Sequence, residues 1–215
     1  MPTGAGKSML FMLPAWAEQG GTTVVVVPLI ALRGDMTRRC RKLGISCAEW
    51  ESRRPPDAAA IVLVTPESAV GEEFATFVNR LRATRQLDRI VIDECHIVLN
   101  RRYDFRKEMQ RLGKLAAAET QMVMLTATLP PSEEDELFRR MYVEREQVEL
   151  FRAATARTNV AYRVIRVGKE AKRKEVEEMV TNMVRQKLRK HKKGKVVVYS
   201  NSVAKVKELA QQLGC

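Results

Sequence analysis

The chain has 215 residues, 45% hydrophobic and 30% charged, with a formal net charge of +12. That is ordinary for a soluble globular protein of one large domain, or one domain and part of another. No run approaches the roughly 20 apolar residues of a membrane span, Lys7 and Pro14 interrupt any secretory leader, and the four cysteines lack metal-ligand spacing, so they read as reduced intracellular thiols without disulfides.

The first element is the loop Met1-Pro2-Thr3-Gly4-Ala5-Gly6-Lys7-Ser8. Small residues at Thr3, Gly4, Ala5 and Gly6 let backbone N–H groups close around phosphates. Lys7 can reach the β- and γ-phosphates, and the Ser8 hydroxyl can ligate Mg²⁺. Met1 stands where the strict pattern has its first glycine, and a plain helix start is the alternative reading. A helix is predicted over 7–18, then a strand over 22–27. Val24-Val25-Val26-Val27 has no polar alternation, so both faces should be covered, as in a parallel α/β sheet.

Further along, a helix over 29–43, a loop over 49–57 and a strand over 61–65 are followed by a helix over 73–82. The next strand, 89–92, ends in Asp93-Glu94-Cys95-His96. Asp93 can hold Mg²⁺, and Glu94 can orient and deprotonate an attacking water. A solvated turn is the alternative for such a pair, but loop and carboxylates in this order read together as an ATP site. A helix over 105–118, a strand over 122–126 and a helix over 133–142 complete the segment. Ser132 is the expected N-cap of the last helix.

Charge changes abruptly after this. Residues 1–151 carry 21 cations and 21 acids, whereas residues 152–215 carry 17 and 5. A boundary near residue 152 follows, with a basic second segment that either meets nucleic acid phosphate or is a solvated face. The run 185–193 also has the composition of a nuclear import signal. Within this segment we expect a strand over 160–167, a helix over 170–190, a strand over 195–199 and a helix over 202–213.

The motifs and their order resemble a RecQ-type DNA helicase of superfamily 2. The opening loop resembles the family's first motif, Met included. Pro28-Leu29-Ile30-Ala31-Leu32 with Asp35 resembles the next, and Thr65-Pro66-Glu67 the following DNA-contact motif. Asp93-Glu94-Cys95-His96 resembles the DExH box, with Cys in the usual Ala place. Asp104-Phe105-Arg106 with Leu112-Gly113 resembles the aromatic-rich loop and its helix. Thr126-Ala127-Thr128 resembles the motif linking hydrolysis to movement, and Val197–Asn201 the opening strand of the second lobe.

The resemblance implies an α/β fold with a RecA-like parallel sheet flanked by helices, a P-loop NTPase lobe over 1–151 lacking its first strand. A second RecA-like lobe over 152–215 would be truncated, without the family's later arginines, zinc-binding and winged-helix parts. It implies an ATP-dependent DNA helicase or translocase moving 3′ to 5′ on single-stranded DNA and unwinding duplex, with ATP and Mg²⁺ as cofactors. Pro28, Leu29, Leu32, Asp35, Thr65, Pro66, Glu67 and Arg106 would contact nucleic acid. Thr126, Thr128, Asp104 and Phe105 would couple it to catalysis by Lys7, Asp93, Glu94 and His96. The alternatives are a truncated, non-catalytic ATP- and nucleic-acid-binding module and an RNA helicase of the same superfamily. Location would be nuclear or chromosomal in a eukaryote and cytoplasmic otherwise; no protein partner is indicated.

Overall fold

The computed structural model describes residues 4, 6–17, 20–57, 59–99, 104–154, 159–168, 170 and 172–214, with only the backbone for Ile30 and 104–110. The chain divides into two compact units, Met1–Val160 and Ala161–Cys215. Arg152 belongs to the first. Its guanidinium donates to the Leu129 carbonyl at 3.0 Å and pairs with Glu134.

In chain order the first unit contains α1 (Met9–Ala17), β1 (Thr22–Val26), α2 (Ile30–Lys42), β2 (Cys47–Glu49) and β3 (Ile61–Val64). Next come α3 (Pro66–Ala69), α4 (Glu72–Ala83), β4 (Leu87–Ile92), β5 (Gln121–Met124) and α5 (Glu134–Arg140). The helix expected over 105–118 is a 3-10 helix, Asp104–Ala118, and another 3-10 turn at Pro131–Glu133 leads into α5. That turn makes Glu133, not Ser132, the N-cap of α5, with no side-chain cap bond.

All five strands are parallel, in the order β2-β3-β1-β4-β5. The unbroken apolar strands are buried on both faces, as parallel strands between helices must be. Val24, Val26, Val62, Val64, Ile90 and Ile92 face one cluster, closed by Phe74, Phe77, Val78 and Leu81 of α4 and by Leu112 and Leu137. Val25, Val27, Ile61, Leu63 and Val91 face the other, closed by Phe11 and Met12 of α1 and Met36 and Cys40 of α2. On α4 the apolar residues recur at one-turn spacing, with Glu72 and Glu73 in the first turn and Arg80 and Arg82 in the last, complementing the helix dipole. Trp50, just after β2, packs edge-on to Phe74 at 5.0 Å and against Phe77 at 4.8 Å, joining the end of that edge strand to α4.

Gly113 sits where two helical segments touch. A Cβ there would lie 2.2 Å from the Arg140 carbonyl oxygen and 2.8 Å from the Tyr142 ring. Only a residue without a side chain permits that approach.

The second unit contains α6 (Arg173–Lys190) and α7 (Val203–Leu213). The buried Thr181 hydroxyl lies 2.8 Å from the Glu177 carbonyl and 3.1 Å from Gln212 Oε1, and Arg185 donates to the Gln212 carbonyl at 3.2 Å. Ser202 caps α7 by accepting from Lys205 N–H, and Gly214 ends it in the left-handed region at φ +73°. The strands expected over 160–167 and 195–199 are not formed: 159–168 and 195–200 have no strand assignment. Alternation supplies only a preference for extended backbone. A strand also needs a ladder partner for its N–H and C=O groups.

Candidate active site

Three strand ends are stitched together at one rim of the sheet. Asp93 N–H donates to the Val26 carbonyl at 3.1 Å, Leu125 N–H to the Ile92 carbonyl at 2.9 Å, and Cys95 N–H to the Leu125 carbonyl at 3.0 Å. This is the carboxyl end of β1, β4 and β5, the side on which open parallel sheets bind ligands. The Asp93-Glu94 turn leaves β4 here. Glu94 takes φ +50°, a left-handed conformation that costs a non-glycine residue roughly 1–3 kcal/mol and clusters at functional sites. Its N–H is held by Asp93 Oδ1 at 3.0 Å.

The phosphate-loop residues approach from the other end of the sequence. Gly4 and Gly6 have φ +84° and +79°, which the loop's glycines allow without strain. Lys7 and Ser8 are half-buried, and α1 starts directly after them, with Met12 N–H donating to the Ser8 carbonyl at 3.0 Å. Phe11 and Met12 fix this helix to the sheet face beside Val25, Val91 and Leu125. Thr3 and Ala5 lie outside the described residues.

Electrostatics shows that the two motifs converge. Burial raises the Asp93 carboxyl above its ordinary value, and the neighbouring Glu94 charge adds to this; Lys7 opposes both. Glu94 goes the other way. Its hydrogen bond with His96 lowers it, burial opposes this, and the Lys7 charge lowers it further. One lysine therefore acts on both carboxylates across some ninety residues of sequence. The result is a desolvated Asp93, 8% exposed, beside an ionised Glu94. The Cys95 thiol between them and His96 is pushed up to about 12, chiefly by burial, and stays an inert neutral group.

His96 joins this pair to β5. Its Nδ1 is 3.3 Å from Glu94 Oε2 and 2.8 Å from Thr126 Oγ1. Thr126 Oγ1 also accepts from Thr128 N–H at 3.2 Å. A single ring nitrogen facing two oxygens can donate to either when protonated, or accept from the Thr126 hydroxyl when bare.

Arg140 is a supporting residue that the sequence motifs did not single out. It donates to the Val98 carbonyl at 2.8 Å and to Glu136 Oε1 at 2.7 Å, tying the Cys95–Leu99 turn to α5. The visible signal was only the Glu136–Arg140 spacing of four, which any solvated helix face can carry.

The residues proposed to meet nucleic acid lie at the ends of β1 and β3. Leu29 and Leu32 are exposed at 44% and 36% near the start of α2. Pro28 precedes them, half-buried. Asp35 pairs with Arg39 at 2.7 Å and Arg38 at 3.6 Å on its own helix. Thr65 caps α3 by accepting from Ser68 N–H; Pro66 is buried and Glu67 exposed. The side chains of Asp104, Phe105 and Arg106 lie outside the described residues. Among the described residues no helix is long and apolar enough to cross a membrane.

Comparisons with known proteins place the chain in a family. The family profile of the DEAD/DEAH box helicases matches residues 1–137. The chain is 32% identical over 180 residues to ATP-dependent DNA helicase Q5 of Rattus norvegicus, covering 76% of this chain and 18% of that protein. It is 30% identical over 182 residues to ATP-dependent helicase SGS1 of Saccharomyces cerevisiae, covering 76% and 12%. With ATP-dependent DNA helicase RecQ of Bacillus subtilis the figures are 26% over 197 residues, 85% and 32%. The chain thus spans under a third of each of these relatives. Among solved structures, the DUF1998 helicase MrfA superposes with a TM-score of 0.62 at 16% identity, over 100% of this chain and 35% of that one, a likeness of fold.

Proposed function

This chain belongs to the DEAD/DEAH box helicase family, and from that premise we propose that it is the motor region of a RecQ-type, ATP-dependent DNA helicase. Residues 1–151 act as the ATP-binding lobe, and the segment 152–215, which is bonded to that lobe at Arg152, carries part of the second helicase lobe. The motor moves 3′ to 5′ on single-stranded DNA, opens duplex ahead of it and acts on chromosomal DNA. The observation that carries the reading is the convergence of Lys7 with Asp93 and Glu94 at one sheet rim.

The donor set suits Mg²⁺. A carboxylate that burial and a neighbouring charge make costly to ionise, Asp93, also feels the charge of Lys7, the residue before Ser8, and a divalent cation would offset that cost. Ser8 and Asp93 would hold the ion, which when bound supplies neutralisation of charge on the transferring phosphoryl group. Lys7 and the backbone of Gly4 and Gly6 draw the phosphates against the rim. Glu94, already ionised, orients a water and accepts its proton as the new oxygen–phosphorus bond forms and the β–γ bridging bond breaks. His96 then feels the change at Glu94 and passes it to Thr126 and Thr128. Leu29, Leu32, Thr65 and Glu67, at the starts of helices beside the rim, serve the strand being moved, with Arg106 and the Asp104-Phe105 segment. Pro28, Asp35 and Pro66 complete that nucleic-acid contact set.

The test is steady-state ATP hydrolysis with and without single-stranded DNA, in Mg²⁺. Stimulated turnover should fall at least about 100-fold in Lys7→Ala and in Glu94→Gln, the scale of losing a phosphate ligand or a general base. ATP binding without turnover would overturn the enzyme reading, and stimulation by RNA in preference to DNA would overturn the choice of substrate.

A further inference from the structure

We propose that the carboxyl end of α6 and the turn after it form a docking site for the phosphate backbone of duplex DNA, separate from the motor motifs. The inference rests on the proposed nucleic-acid motor and adds a second contact surface to it. Seven cations, Arg185, Lys187, Arg189, Lys190, Lys192, Lys193 and Lys195, fall within eleven residues that contain no acid. All seven are exposed. Arg185 is anchored on α7 through the Gln212 carbonyl. Among the described residues the other six have no acid partner.

The backbone gathers them. His191 N–H closes the last turn of α6 on the Lys187 carbonyl at 2.9 Å, and Gly194 N–H returns to the His191 carbonyl at 3.0 Å. Lys192 and Lys193 therefore stand at the tip of a turn that continues the helix end. At 100° per residue, Lys187, Arg189 and Lys190 point to different sides, so the cations ring the helix terminus.

Ordinary stabilisation does not account for this ring. The helix dipole presents about half a negative charge there, against seven positive ones. The acids of α6, Glu175, Glu177 and Glu178, sit in its first half, and Glu177 is already engaged by Arg173 at 2.8 Å and Lys205 at 3.9 Å. From Glu178 to Lys187 the helix rises about 13 Å, beyond the roughly 8 Å screening length at physiological salt. The cations repel one another, and an external polyanion relieves that while releasing counterions.

Chemistry favours duplex over single strand. Sites for single-stranded nucleic acid interleave cations with aromatic platforms for the bases. No Phe, Tyr or Trp occurs over 185–195. An exposed cationic helix end without acids or aromatic rings reads charge density, which is highest on duplex DNA.

The test compares the full chain with a variant carrying Lys187→Ala, Arg189→Ala, Lys190→Ala, Lys192→Ala and Lys193→Ala. A second variant with Gln at the same positions guards against loss of folding, read by circular dichroism. Binding to a 20-base-pair duplex and to a 20-nucleotide strand is titrated across a salt series. The slope of log affinity against log salt for duplex should shrink by about 0.9 for each phosphate that the variant no longer neutralises, up to about 4.5 for five. The single-strand slope should change by less than half as much. A duplex slope altered by less than 1, or an equal loss on the single strand, overturns the proposal. So does loss of binding to phosphatidylserine vesicles with duplex binding intact. DNA-stimulated ATP turnover with an unchanged duplex slope would remove this anchor and leave the motor standing. A reduced slope in a chain without turnover would do the reverse.

Discussion

The hydrogen bond between His96 and Thr126 permits a quantitative test of how the site is wired. Thr126→Val keeps the shape and removes the hydroxyl that sits 2.8 Å from His96 Nδ1 and accepts from Thr128 N–H. Thr128 is exposed, so water can replace its missing acceptor, and pairing the change with one at His96 isolates the bond to His96. A net hydrogen bond of this kind is worth about 0.5–1.5 kcal/mol, which converts to roughly 2- to 13-fold in a rate or equilibrium. The assay is a double-mutant cycle of His96→Ala and Thr126→Val on DNA-stimulated ATP turnover. Each single variant should lose stimulation while its basal ATP affinity, set by Lys7, holds. The double variant should be less impaired than the product of the singles by that 2- to 13-fold. If the two changes multiply to within about 0.3 kcal/mol, they act independently and the relay from Glu94 through His96 to β5 is refuted.

Asp93→Asn should raise the melting temperature at pH 7 while abolishing Mg²⁺-dependent turnover. A carboxyl whose folded pKa lies above its unfolded value adds stability below the unfolded value and loses it as pH rises through the folded one. The gain over the parent should therefore shrink as pH is lowered through the raised pKa of Asp93 toward the ordinary aspartate range, and a pH-independent gain would contradict it. Gly113→Ala should cost about 1–3 kcal/mol, because the obstacle is the Arg140 backbone oxygen, which cannot swing aside; thermal unfolding reads this as a drop of several degrees. Arg140→Ala should cost about 1.5–3 kcal/mol by stripping a charged donor from the Val98 carbonyl. Arg140→Lys should recover only part of it, since one ammonium cannot reproduce the planar fork that serves both Val98 and Glu136.

Much of the first unit was legible because its sequence signals are also its physical causes. Four consecutive valines had to be a strand covered on both sides, and β1 is buried throughout. The Asp93-Glu94 turn could be placed at a strand end because apolar Ile90, Val91 and Ile92 stop there. The three-residue strand β2 left no such trace. Cys47–Glu49 has neither length nor alternation, and its order comes from pairing with β3. α3 was likewise hidden in Thr-Pro-Glu, where a capping Thr65 and a proline-initiated turn suffice for four residues. At α5, Pro130-Pro131 marked the helix start, but an intervening 3-10 turn moved the cap by one residue. In the second unit, the alternation over 160–167 and the apolar run over 195–199 predicted strands that are not formed, since ladder pairing is not a property of one segment. Within the site, residue types pointed to each role, whereas the left-handed Glu94, the shared nitrogen of His96 and the support from Arg140 depend on distances no spacing encodes.

The three backbone hydrogen bonds that knit Val26, Asp93, Ile92, Leu125 and Cys95 have a mechanical corollary. Because each strand tip is clamped to its neighbour, the rim behaves as one stiff lever and not as separate fingers. A ligand that displaced Asp93 by a fraction of an ångström would have to tilt Leu125 and Thr126 with it. Information about the phosphates would then leave this lobe as rigid displacement along the sheet's edge, with no loop required to melt.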